Sequence, residues 1–186
     1  MIDLTKAKLP EAVKVDGSFF RVHTSFKYWL NFQALIADGK REPKNFDFMY
    51  VKEKPTNRAN GLLALIEFSN PPSVLPRKKK GDENDGSAVD YFIDADYIFA
   101  AFMEQYGIDL IESGLHWHKF LALFKGLHET KLNEIIGYRL WENTSGKRDA
   151  YTRQMERLKT AWELPQESDE EDEDLKEFEA LLYPQK

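Results

Sequence analysis

Tyr91-Phe-Ile-Asp-Ala-Asp-Tyr-Ile-Phe-Ala-Ala-Phe-Met-Glu-Gln-Tyr-Gly-Ile-Asp-Leu110 is followed by Leu115-His-Trp-His-Lys-Phe-Leu-Ala-Leu-Phe-Lys-Gly-Leu127 and Leu132-Asn-Glu-Ile-Ile-Gly-Tyr-Arg-Leu-Trp141. Three apolar periodic blocks stand in a row, separated by Gly107, Gly114 and Gly126. In the first, Ile98, Phe99, Phe102, Met103 and Tyr106 fall on one helical face, and Gly107 stands where a left-handed stop is wanted. In the second, Trp117, Phe120, Leu121 and Phe124 repeat at helical spacing, with Gly126 as the next stop. In the third, Thr130 is an N-cap candidate ahead of Leu132, Ile135, Ile136 and Leu140. Stripes of this kind are stable only when buried against one another, so the short connections predict neighbouring helices packed side by side.

Outward from this centre, residues 12–22 read as a β-hairpin whose turn, Asp16-Gly17, tolerates the positive φ angles of a type I′ turn. A hairpin needs a partner, and 46–51 is the segment with strand composition. Between them a helix is predicted over 26–37, with Thr24 or Ser25 as cap and Asp38-Gly39 as its end. Its aromatics Phe26, Tyr28, Trp29 and Phe32 spread over more than one face, which predicts burial on both sides or one side given to a partner. A further helix is predicted over 58–68, capped by Thr56 or Asn57 and stopped by Pro71-Pro72.

Residues 71–87 hold three prolines, the basic run Arg77-Lys78-Lys79-Lys80 and an acidic, glycine-flanked stretch, and read as a surface loop. After the turn at 143–148, a last long helix is predicted over 148–163, with Tyr151, Met155, Leu158 and Trp162 in one stripe.

The chain has 186 residues, 42% of them apolar and 13% aromatic, with a net charge of −6. That average conceals a division. Residues 165–186 carry nine acids against Lys176 and Lys186, a charge of −7, which leaves +1 for the rest of the chain. The expected organisation is a mainly α domain over 1–164, about six helices with an N-terminal hairpin, followed by an acidic tail at 165–186. Within the tail, Leu175, Phe178, Leu181 and Leu182 recur at helical spacing, a short amphipathic piece that cannot stand alone in water.

There is no cysteine, so disulfides and thiolate metal sites are excluded. No run approaches the roughly 18 apolar residues of a membrane span, and the first residues lack a signal core. No membrane association is expected. His116-Trp117-His118 invites a metal reading, but on a helix residues i and i+2 point about 200° apart and cannot share an ion. Glycine-rich phosphate loops and nucleophile elbows are missing. The sequence therefore points away from an enzyme, a cofactor or a metal centre. A nuclease using His116 or His118 is the most distant reading. The basic run is followed at once by acids and lacks interleaved aromatics, so nucleic acid is not the expected partner. Arg139 lies seven residues after Leu132, within about 20° of the apolar stripe, and should snorkel outward or meet an acid. Asp109 is the partner the sequence suggests.

Tyr106-Gly107-Ile108-Asp109-Leu110, Leu115-His116-Trp117-His118-Lys119-Phe120 and Ile135-Ile136-Gly137-Tyr138-Arg139 together resemble the gene-product-fifteen family of tailed phages and prophages of Gram-positive bacteria. The resemblance is densest over 91–141 and extends more weakly to the hairpin and to the helix near 26–36. It implies a tail assembly chaperone working in the host bacterial cytoplasm, with the tape-measure protein and the tail tube protein as partners and homo-oligomers as an option. The contact residues then expected are Leu175, Phe178, Leu181 and Leu182, with the exposed side of the helix bearing Phe26, Tyr28, Trp29 and Phe32. The alternative is a structural virion protein, such as a head–tail connector or tail-completion component.

Overall fold

The computed structural model describes residues 2–71, 88–144, 146 and 148–165. The expectations for the rest of the 71–87 loop and for Leu175, Phe178, Leu181 and Leu182 lie outside the described residues. Among those described, the chain is mainly helical, with one two-stranded antiparallel sheet.

Strands β1 (Ala12–Val15) and β2 (Ser18–Arg21) pair from Ala12–Arg21 to Val15–Ser18. Asp16 and Gly17 take φ values of 48° and 87° at the turn, the two left-handed positions of a type I′ turn. Val13 and Val15 point inward in the two-residue alternation of a half-buried strand. They pack on helix α2 (Arg58–Ser69), and Asn60 of α2 donates to the Asp16 carboxylate at 2.7 Å.

The expected third strand at 46–51 is corrected. Pro43–Met49 is a 3-10 helix, and strand character survives only as a single bridge between Val22 and Tyr50. The reason is the spacing of the apolar residues. Phe46 and Met49 are three apart, and a helix of three residues per turn sets both on one face. Both are buried there, whereas a strand would have sent them to opposite sides.

Helix α1 (Phe26–Ala37) buries Phe26, Trp29 and Phe32. It starts beside helix α4 (Trp117–Gly126) because Ser25 and His116 form an antiparallel bridge. The Phe26 N–H donates to the Leu115 carbonyl at 2.9 Å, and the Trp117 N–H to that of Thr24 at 2.7 Å. Each helix start thus uses the other's backbone.

The core built on this junction is aromatic. Trp29 stacks on Phe68 at 4.7 Å, Phe26 on Phe120 at 4.9 Å and Phe102 on Phe120 at 5.2 Å. Both buried indoles are satisfied, Trp29 by the His23 carbonyl at 2.8 Å and Trp117 by that of Ser69 at 2.9 Å, as buried N–H groups require.

Helix α3 (Ala95–Tyr106) ends at Gly107, whose φ is 61° and whose N–H returns to Met103 at 3.0 Å. Helix α5 (Lys131–Arg139) opens with a capping box between Thr130 and Asn133. Helix α6 (Ala150–Trp162) is capped by Asp149. Helix α5 packs against both α3 and α6. Most stripe residues are at least partly buried, and three are not. Met103, Leu140 and Tyr151 are exposed, each in or beside a terminal turn of its helix.

Candidate functional site

A groove of about 530 Å³ opens between α1, α3 and the turn that follows α3. Its size is within the roughly 300–1,000 Å³ of ligand-holding clefts. Phe26 and Leu30, one turn apart on α1, form one wall, and Ile98 and Phe99 of α3 form the other. Phe120, Leu110, Tyr91 and Ala95 complete the apolar lining. Burial raises the Tyr91 phenol above its ordinary pKa, so it lines the groove as a neutral hydroxyl.

The edge of the groove is made by chain reversal. After Gly107 the Asp109 carboxylate accepts the N–H groups of Ile111, at 2.7 Å, and Glu112, at 3.2 Å. That Asx turn buries Leu110 and lifts Ile111 to 72% exposure at the rim. The Lys27 ammonium donates to the Ile111 carbonyl and fixes the rim from the α1 side. Asp96 is the other charge at the groove. Phe92 and Ile93, next in sequence to Tyr91, are also more than half exposed. A seat of this composition recognises apolar side chains and offers few directed polar contacts.

The structure divides the residues that the sequence singled out. Of the four aromatics on α1, Phe26, Trp29 and Phe32 are buried, the first of the two outcomes expected for this helix, so an aromatic contact on its exposed side is left to Tyr28. Their three-residue spacing points them together into the core. Tyr28 alone reaches the surface, 37% exposed and stacked on His23 at 4.1 Å. Phe26 contributes only a wall of the groove.

The pairing of Arg139 with Asp109 is likewise corrected. Arg139 meets Asp94 in a two-pronged ion pair, at 2.6 and 2.8 Å. The C-terminal end of α5 lies at the N-terminal end of α3, and Asp109 stands beyond the other end of that helix, about 18 Å of axis away. Asp94 was missed, although its place just before an apolar periodic run is a usual N-cap signal.

The two histidines bind backbone groups. His116 precedes α4, where its Nδ1 accepts from the His118 N–H at 3.0 Å, and its Nε2 lies 3.0 Å from the Pro10 carbonyl. His118 places Nε2 2.9 Å from the Phe68 carbonyl. Burial is the main cause lowering both pKa values, and neutral rings donating from Nε2 satisfy both carbonyls. Because His116 is outside the helix, the rings come to 5.2 Å between centroids, closer than helical positions i and i+2 allow. Among the described residues no group of three or more histidines, aspartates or glutamates is arranged to hold a metal ion. Among them, too, no helix is long and apolar enough to cross a membrane.

The profile of the family described as Bacteriophage Gp15 protein matches residues 5–164. The chain belongs to that family. This Gp15 chain is therefore a bacteriophage protein related to the virion, of a family not known for enzymatic activity. The hairpin, the groove and the Asp94–Arg139 pair all lie within the matched region, and the acidic tail lies past it. No curated protein and no solved structure matches the chain.

Proposed function

We propose that this Gp15 family member acts by binding, as a tail assembly chaperone that holds the tape-measure protein while tail tube subunits assemble in the host cytoplasm. The observation that carries this reading is the apolar groove between α1 and α3, with Ile111 on its rim and Phe92 and Ile93 exposed beside it. Exposed apolar surface gathered around a cleft marks an interaction site more often than chance. A long, apolar partner that must be kept from aggregating fits such a seat. Phage family membership supports the setting.

The test is recovery from cells that co-express the chain with the tail genes of its phage, compared with the protein content of purified particles. The chaperone reading expects the tape-measure protein to be recovered with this chain and the chain to be missing from particles. Ile111→Asp should reduce that recovery by roughly tenfold or more, the scale of a lost interface anchor. Leu63→Asp, at an exposed position on α2, should leave it intact. Presence of the chain in particles would replace the chaperone with a structural virion component. Equal recovery by the two variants would remove the groove as the contact.

A further inference from the structure

We infer that, when no partner is bound, the groove between α1 and α3 is occupied by the chain's own C-terminal segment, residues 175–182. The inference rests on the groove being a docking seat and names what covers it.

The first ground is where the chain leaves the body. Helix α6 ends at Trp162, whose ring meets Tyr97 edge-on at 5.7 Å, and Arg139 Nε donates to the Trp162 carbonyl at 2.6 Å. Tyr97 is on α3 between Asp96 and Ile98, both of which line the groove. The chain therefore leaves the body at the end of α6, in contact with α3, the helix that forms one groove wall.

The second ground is reach. At about 3.3 Å per residue, the stretch 165–174 can span about 33 Å. The whole of α3 is only about 18 Å long. Tethering on this scale produces effective concentrations in the millimolar range, which is enough to fill a seat whose intrinsic affinity is itself only about millimolar.

The third ground is chemistry. Leu175, Phe178, Leu181 and Leu182 share one face of a helix, and a piece this short is unstable in water until that face is covered. The groove supplies apolar walls of matching character, and its two charges, Lys27 and Asp96, are of opposite sign, as are Lys176 and the acids Glu177 and Glu179 of the segment, so the match is carried by the apolar faces. The run of six acids at 169–174 remains hydrated as the tether. A tape-measure segment would then enter by displacing the tail, and the apolar groove would not stand open in the free protein.

The chain contains no cysteine, so an introduced pair reports proximity without ambiguity. The full chain carrying Ile111→Cys and Leu182→Cys is oxidised at low micromolar concentration and compared with Leu63→Cys and Leu182→Cys. Ile111 and Leu63 are both well exposed, at 72% and 63%, so neither substitution disturbs the core. The docked tail predicts an internal disulfide that forms roughly tenfold faster or more in the first pair, the advantage expected of a seated over a merely tethered segment. Adding Phe178→Asp to the first pair should bring its rate down to that of the second. Equal rates in the two pairs, or a first pair indifferent to Phe178→Asp, would overturn the inference. Disulfide-linked dimers as the main product would also overturn it, by giving the seat to the tail of a second copy. No tape-measure protein is present in this assay, so its failure leaves the recovery experiment to judge the chaperone reading by itself.

Discussion

Asp94 is 1% exposed, a position at which a carboxylate costs several kcal/mol unless it is paired and hydrogen-bonded. Here Arg139 engages both oxygens, and the Asp90 N–H donates to Oδ2 at 3.0 Å. Arg139 also donates to the carbonyls of Trp162 and of Ala88, the latter at 3.0 Å. One guanidinium thus joins the start of α3, the ends of α5 and α6, and the backbone at Ala88. Arg139→Ala is expected to destabilise the protein by about 3–5 kcal/mol, chiefly by leaving Asp94 buried without its partner. Arg139→Lys should recover less than half of that, since one ammonium cannot serve a two-pronged site and two carbonyls. The apolar pair Asp94→Leu with Arg139→Met should lose much less than Arg139→Ala alone. Urea midpoints decide, and an Arg139→Ala loss below about 1 kcal/mol would show that the network contributes little. The unusual position of Arg139 was legible in the sequence, because an arginine beside an apolar stripe needs an outlet. Its partner was not, because choosing Asp94 over Asp109 requires knowing which end of α3 meets α5.

Helix boundaries were the most legible elements because they are decided locally. Gly107 stops α3, Thr130 caps α5 and Asn57 caps α2, each through bonds made within a few residues. The 3-10 segment at 43–49 was not legible as such, since Phe-Asp-Phe-Met-Tyr-Val has the composition of a strand and only packing shows that Phe46 and Met49 must point the same way. The groove was hidden for a related reason, because its walls come from α1 and α3, far apart in sequence. Two helical glycines turn this distinction between local and tertiary control into opposite predictions. A Cβ at Gly137 in α5 would meet nothing within 4 Å, so Gly137→Ala should stabilise by about 0.5–1 kcal/mol through backbone entropy and helix propensity. A Cβ at Gly61 in α2 would lie 2.6 Å from Pro55 Cγ and 2.8 Å from the Tyr50 hydroxyl. The ring of Pro55 is rigid and fully buried, so overpacking of about 1–3 kcal/mol outweighs the propensity gain. Gly61→Ala should therefore lower the thermal midpoint while Gly137→Ala raises it. Shifts of the same sign would mean that α2 does not press on Pro55 and Tyr50 as closely as described.

At the scale of the whole molecule, the question is where the cooperative body ends. The aromatic core runs from Val13 to Leu132, and the last side chain that ties α6 to it is Trp162, against Tyr97. A cut after Pro165 keeps every one of these contacts and removes the acidic tail alone. The truncated chain is expected to retain its helical signal and a single cooperative transition. Its midpoint should fall by no more than about 2–4 °C, the shift that 1 kcal/mol produces in a domain of this size, which is what a weakly seated tail would contribute. A cut after Thr160 should behave differently, although it removes only five residues more. It takes away the Trp162 ring and the carbonyl that Arg139 Nε uses, leaving a buried guanidinium donor without its partner and Tyr97 uncovered. A loss of about 2–4 kcal/mol follows from those two defects together. Circular dichroism during thermal unfolding of the two truncations decides the matter. If the cut after Pro165 already abolishes the cooperative transition, the tail is part of the core, and neither a displaceable cover nor a separate docking segment can be assigned to it. If it does not, and the cut after Thr160 does most of the damage, the body closes at Trp162 and everything beyond that residue is free to serve the groove.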